Sequence, residues 1–144
     1  MTIRPASRFW LSLAALLAAG LLSAAAGAAA PDWNAAAEVE EVEVLTADED
    51  GSPRETTIWL AVLEGQGYIR TTRSTTWGDN VERDPDIALR IGEEEHSLTA
   101  AFVEDAALRE RIIQAFRDKY GWFDGLLNVI RGSNPRIMRL DPRG

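Results

Sequence analysis

The chain has 144 residues, with 15 basic and 23 acidic side chains, one histidine and no cysteine, for a net charge of −8. That length suits one domain of ordinary size. Without cysteine there is no disulfide staple, thiolate metal site, lipoprotein anchor or cysteine nucleophile, and the acidic balance opposes nucleic acid and anionic membranes.

Residues 1–30 differ from the rest. "MTIRPASR" is basic, "FWLSLAALLAAGLL" is continuously apolar, and "SAAAGAAA" is small. This is the order of regions in a secretory signal peptide, and the apolar run of about 14 residues is short of the roughly 20 a membrane span needs. Cleavage near residue 30 would remove Arg4 and Arg8 and no acid, leaving 13 basic and 23 acidic residues and a net charge of −10. The expectation is a periplasmic or secreted domain over residues 31–144, with no stable membrane insertion after cleavage. Its core alone must hold it, and about 65% burial of the unfolded chain's surface is adequate for that.

After a short lead-in, "PDWNAAA", the stretch "EVEEVEVLTA" alternates valine with glutamate and predicts a half-exposed first strand, an acidic edge that discourages aggregation. "DEDGSPR" supplies a turn. "ETTIWLAVLE" predicts a second strand with Trp59 in the core, "GQG" a hairpin, and "YIRTT" a third strand. Residues 74–85 predict a short helix or turn that ends at Asp84-Pro85. "IALRIG" and "EEEHSLTAAFVE" contain a fourth and a fifth strand, joined through Gly92. Asp105 can cap a helix over "AALRERIIQAFRDK", in which Leu108, Ile112, Phe116 and Tyr120 share one face and which Gly121 ends. "WFDGLLNVIRG" predicts a second, shorter helix and "PRIMRLDP" a final strand. Tight hairpins require antiparallel pairing. The predicted fold class is therefore α+β, mainly β: a small antiparallel barrel with two C-terminal helices and a last strand.

The stretch "GSPRETTIWLAV…GQGYIRTTRSTTWGDNVERDPDIALRIG" resembles the core of the pyridoxamine-5′-phosphate-oxidase-like split barrels. The likeness runs through Gly51 to Arg54, Ile58 to Val62, Gly67 to Thr71, Trp77, Asn80, and Arg83 to Leu89, over roughly residues 38–121. It implies a split barrel that holds FMN or a deazaflavin by its phosphate, at the third strand and the loop after it. Carried over, the cofactor-binding candidates are Arg70, Thr71, Thr72, Ser74, Trp77 and Asn80. The chemistry agrees: a phosphate needs several donors and a cation, which the hydroxyls and either Arg70 or Arg73 supply. Each residue also has a plainer reading. The Ser/Thr run can be a solvated loop that bonds its own backbone. Trp77 can be core rather than a face for a flavin ring, and Asn80 a turn cap rather than a ligand partner.

His96 is the only histidine and cannot build a typical metal site. A single histidine can still be a haem axial ligand, as in some barrels of the family it resembles, but haem is not the expected cofactor, and no catalytic triad is suggested. Three functions follow. The first is an exported flavin- or deazaflavin-dependent oxidoreductase, in which the cofactor does the chemistry and no catalytic side chain is required. The second is a non-catalytic module for a small anionic or flavin-type ligand. The third is a scaffold. The resemblance also implies a homodimer, with ligand at the interface.

Overall fold

The structure is a computed structural model, and it describes residues 29–121 and 134–143. The elements are α1 (Trp33–Ala36), β1 (Glu41–Ala47), β2 (Pro53–Leu63), β3 (Gln66–Thr71), α2 (Thr76–Arg83), β4 (Asp86–Ile91), β5 (Glu94–Phe102), α3 (Ala106–Tyr120) and β6 (Arg136–Pro142). The predicted signal segment, up to residue 28, and the predicted second helix over 122–132 lie outside the described residues.

The six strands close into an antiparallel barrel in the order β1-β2-β3-β6-β5-β4. Period-2 alternation builds it. Val42 and Val44, Ile58 and Leu60, Ile69, Ile87 and Leu89, Leu98 and Ala100, and Met138 and Leu140 all belong to one buried cluster, the barrel interior. The acidic first strand is not an edge: it pairs with β2 on one side and β4 on the other, so closure rather than charge removes the free edge. Its glutamates serve the outer wall. Glu43 on β1 and Glu55 on β2 bond Arg90 of β4 at 2.6 and 2.9 Å, and Glu95 of β5 stands 3.5 Å from the same guanidinium. One arginine thus ties four strands together.

The β2–β3 turn falls one residue earlier than "GQG" suggests. Leu63 pairs with Gln66, so the two-residue loop is Glu64-Gly65, both with positive φ (52° and 71°), the geometry that matches strand twist in a tight hairpin. Gly67 is released for another purpose, since a Cβ there would collide with the Trp33 ring. Asp32 caps the single turn α1 and sets Trp33, 6% exposed, against that end of the barrel. Trp77 of α2, also 6% exposed, joins the interior cluster from the other end.

A second buried cluster lies outside the barrel wall, where Ile112 and Phe116 of α3 meet Ala61, Tyr68 and Ile137. Alternation places Trp59 on this outer face rather than in the barrel core: its ring stacks on Tyr120 at 4.1 Å and 6°. Asp105 caps α3 as predicted, accepting from the Leu108 N–H at 2.7 Å. Lys119, the only lysine, donates to the Val39 and Leu60 carbonyls, and Tyr120 donates to Glu40 O. Burial lowers the lysine pKa and raises that of the phenol to about 12. Among the described residues no helix is long and apolar enough to cross a membrane.

Candidate functional site

The polar run after β3 covers one end of the barrel. Thr71 points inward there, 6% exposed, with its hydroxyl bonded to that of Thr75. Thr75 caps α2 by accepting from the Gly78 N–H at 3.3 Å. Trp77 and Val81, four residues apart on α2, fill the barrel mouth.

Asn80 is 3% exposed and fully engaged. Its amide donates to Thr46 Oγ1 at 3.0 Å and Asp48 Oδ1 at 2.8 Å, and its oxygen accepts from Arg83 at 2.9 Å. Asp48 also receives a two-point bond from Arg54, at 2.6 and 2.8 Å. The Arg54 and Asn80 hydrogen bonds hold the Asp48 carboxyl down at about pKa 2. Arg83 donates to Ala47 O at 2.7 Å. This network fastens α2 to the β1–β2 turn.

The six candidate residues therefore separate. Thr71, Trp77 and Asn80 are buried parts of the barrel end, and Trp77 is core rather than an open ring face. Thr72 and Ser74 lie in the loop between β3 and α2, half-buried and exposed respectively, with exposed Arg73 between them. Arg70 faces the other way. Its guanidinium carbon lies 4.2 Å from the centroid of the Phe116 ring, under α3. Of the two arginines weighed for the anion's charge, Arg73 is the one beside the hydroxyls.

Sequence reasoning missed Arg136. It precedes Met138 and Leu140 in the inward series of β6, and its side chain is 12% exposed. Its Nε and Nη2 donate to Thr72 O at 3.3 and 2.9 Å, and Nη1 donates to Asp79 at 2.9 Å and reaches Glu82 at 3.1 Å. Nη2 is also 3.5 Å from both the carbonyl and hydroxyl oxygens of Thr75. Gly78 makes the seat: a Cβ there would overlap the Arg136 guanidinium and the Thr71 methyl. The pattern Arg-x-Met-x-Leu held the signal, since it places a charge in an inward-facing row.

Beside α2 opens a cleft of about 410 Å³ lined by Asp48, Glu49, Asp50, Thr76, Asp79, Asn80 and Arg83. Four carboxylates against one guanidinium repel an anion. Thr72, Arg73 and Ser74 lie outside this lining. His96 lies on β5, with Glu94 as its nearest acid at 3.8 Å, and among the described residues no group of histidines and acids is arranged to hold a metal ion.

Residues 32–138 match a family described as an uncharacterized protein conserved in bacteria, DUF2255, and the chain belongs to it. No curated protein matches the chain. Among solved structures it is similar to HutZ, described as the haem storage protein from Vibrio cholerae: TM-score 0.64, 17% identity, covering 78% of this chain and 87% of that one. It is similar to a putative pyridoxamine 5′-phosphate oxidase from Listeria innocua: TM-score 0.58, 15% identity, covering 78% and 90%. It is similar to an F420-H2 dependent reductase, FDR-A: TM-score 0.56, 15% identity, covering 70% and 93%. The fold is that of the pyridoxamine-5′-phosphate-oxidase-like split barrels.

Proposed function

We propose that this DUF2255 protein is an exported split barrel that binds a flavin-type nucleotide, FMN or a deazaflavin, on the outer side of the α2 end of the barrel. The phosphate lies against Thr72, Arg73 and Ser74. One observation carries the reading. Thr71 and Thr75 spend their hydroxyls on each other and Asn80 its amide on the β1–β2 turn, while exposed Arg73 and Ser74, with half-buried Thr72, form the outer side of the same loop. A cation flanked by two hydroxyls is the donor set a phosphate monoester needs. Structural neighbours described as an F420-H2 dependent reductase and a putative pyridoxamine 5′-phosphate oxidase support the choice of nucleotide.

When bound, such a cofactor supplies hydride chemistry. The residues of this chain bind and orient it: Thr72, Arg73 and Ser74 hold the phosphate, and the bonded Thr71–Thr75 pair and Asn80 keep the loop in place. Acting as an oxidoreductase, or as a binding module without turnover, the protein uses the same contacts. Haem has no place in this reading. The only histidine stands on β5, next to the acidic Gly92-Glu93 turn, away from the loop.

The test is titration of the purified protein with FMN and with riboflavin, followed by flavin fluorescence. FMN is expected to bind saturably and about tenfold more tightly than riboflavin, the discrimination one charge-assisted contact provides. An unchanged fluorescence with FMN and with deazaflavin at high micromolar concentration refutes the reading. Export is tested separately, by recovering from the periplasm a chain whose N-terminus lies near residue 30.

A further inference from the structure

We propose that Arg136 is the positioning residue of the phosphate-receiving loop: it holds two backbone carbonyls toward the barrel and so aims the amides behind them outward. The proposal rests on the phosphate reading of the Thr72–Ser74 loop, and it assigns a role to a residue in a different strand.

The argument starts from the peptide unit. In a planar trans peptide the C=O and the following N–H point in opposite directions, and the described chain has no cis peptide bond. Arg136 takes the Thr72 carbonyl with two nitrogens, at 2.9 and 3.3 Å. The N–H of Arg73 therefore points away from the guanidinium. Arg136 also approaches the Thr75 carbonyl at 3.5 Å, and that oxygen accepts from the Asp79 N–H at 3.1 Å, so the N–H of Thr76 points away in turn. Arg73, Ser74 and Thr76 are exposed, so amides turned away from the guanidinium face the solvent side of the loop.

The arrangement is built rather than incidental. The Arg136 side chain is 12% exposed, and its guanidinium spans β6, the loop and α2 at once. Asp79 and Glu82 engage Nη1, which fixes the plane of the fork and leaves Nε and Nη2 for Thr72. Gly78 leaves the space in which the fork lies. A lysine has one point charge and no fork, so it can hold the Thr72 carbonyl or the carboxylates but not both in one geometry.

The test uses the full chain and inorganic phosphate, read by amide nitrogen–proton spectra. In the wild type, phosphate is expected to shift the Arg73 and Thr76 amides saturably and to leave the Gly78 amide, which is bonded to Thr75 Oγ1, unmoved. Arg136→Gln is expected to lose those shifts while the amides of β1 and β4 keep their positions. Arg136→Lys is expected to restore part of the response, which a merely structural role would not require. The proposal is overturned if phosphate leaves the wild-type Arg73 and Thr76 amides unmoved, or if a folded Arg136→Gln protein responds like the wild type. Should Arg136→Gln not fold, the wild-type pattern and Arg136→Lys decide: a response weaker than wild type supports the proposal, and one of equal strength and affinity overturns it. Failure of the flavin reading is separate. A protein that ignores FMN but shifts Arg73 and Thr76 with phosphate refutes the flavin and keeps the positioning role.

Discussion

Arg70 and Thr71 are adjacent in β3 and serve opposite sides of the barrel wall. The guanidinium of Arg70 lies over the Phe116 ring beneath α3, while the Thr71 hydroxyl meets Thr75 at the barrel end. Strand alternation forbids both from touching one small ligand. Arg70→Ala is therefore expected to act on stability, loosening α3 by about 1–2 kcal/mol through the lost cation–π contact and packing. Chemical denaturation reads that loss. FMN affinity is expected to stay within about twofold of the wild type, and a larger fall would place Arg70 at the ligand.

The carboxylate of Asp48 joins the β1–β2 turn to α2 most strongly while ionised. Its folded pKa of about 2 lies below the ordinary 3.8, first through Arg54 and then through Asn80. A depressed carboxylate stabilises the fold above its unfolded pKa and ceases to as pH falls through its folded pKa. The contribution is therefore complete above pH 3.8 and lost toward pH 2. Asn80→Ala is expected to raise the Asp48 pKa toward 3.8 and to leave Arg83 short of one partner, at a cost of about 1–3 kcal/mol. Carboxyl carbon shifts followed against pH give the first effect, and thermal unfolding the second.

Gly67→Ala puts a methyl group where the Trp33 ring lies. The expected outcome is displacement of α1 and a loss of about 1–3 kcal/mol from overpacking. Trp33→Ala on its own is expected to cost about 3–5 kcal/mol. In the double variant the glycine change should cost nearly nothing, because the ring it meets is gone. A fully additive pair would mean that Gly67 matters for backbone conformation instead.

Both tyrosines of the chain ionise late. Burial raises the Tyr68 phenol above its ordinary 10 and carries that of Tyr120 to about 12. Ultraviolet difference titration should find both less than half ionised at pH 10. A raised phenol contributes stability that is present below its unfolded pKa and lost as pH rises through its folded one, so α3 should come free between pH 10 and 12. Rapid tyrosinate formation at pH 10 in the folded protein would contradict the burial of Tyr120 against Leu60.

Much of the fold was legible because its determinants are local. Val42 and Val44 alternate with Glu41 and Glu43, Gly92 marks a turn, and Asp105 precedes a run with helical spacing. What alternation alone did not settle was phase. Trp59 and Ile58 are both apolar, and only the pairing of β2 with β1 and β3 decides which of them faces inward. The candidate site was legible as a segment but not as a surface. "TTRSTTW" marks the loop that joins β3 to α2, yet it does not say that Thr71 turns in, Arg70 turns to α3, or that Arg136 arrives from more than sixty positions away. Those facts depend on which strand closes the barrel, and β6 pairing with β3 is a long-range event.

Trp33 and Trp77 pack into the barrel's interior cluster from its two ends. Trp33 arrives from a single helical turn before β1 and Trp77 from the β3–β4 connection, so neither ring belongs to the wall it packs against. Selection for a new ligand can rewrite the outer loops without disturbing the packing that folds the protein, and recognition and foldability can drift apart across relatives that share only the wall.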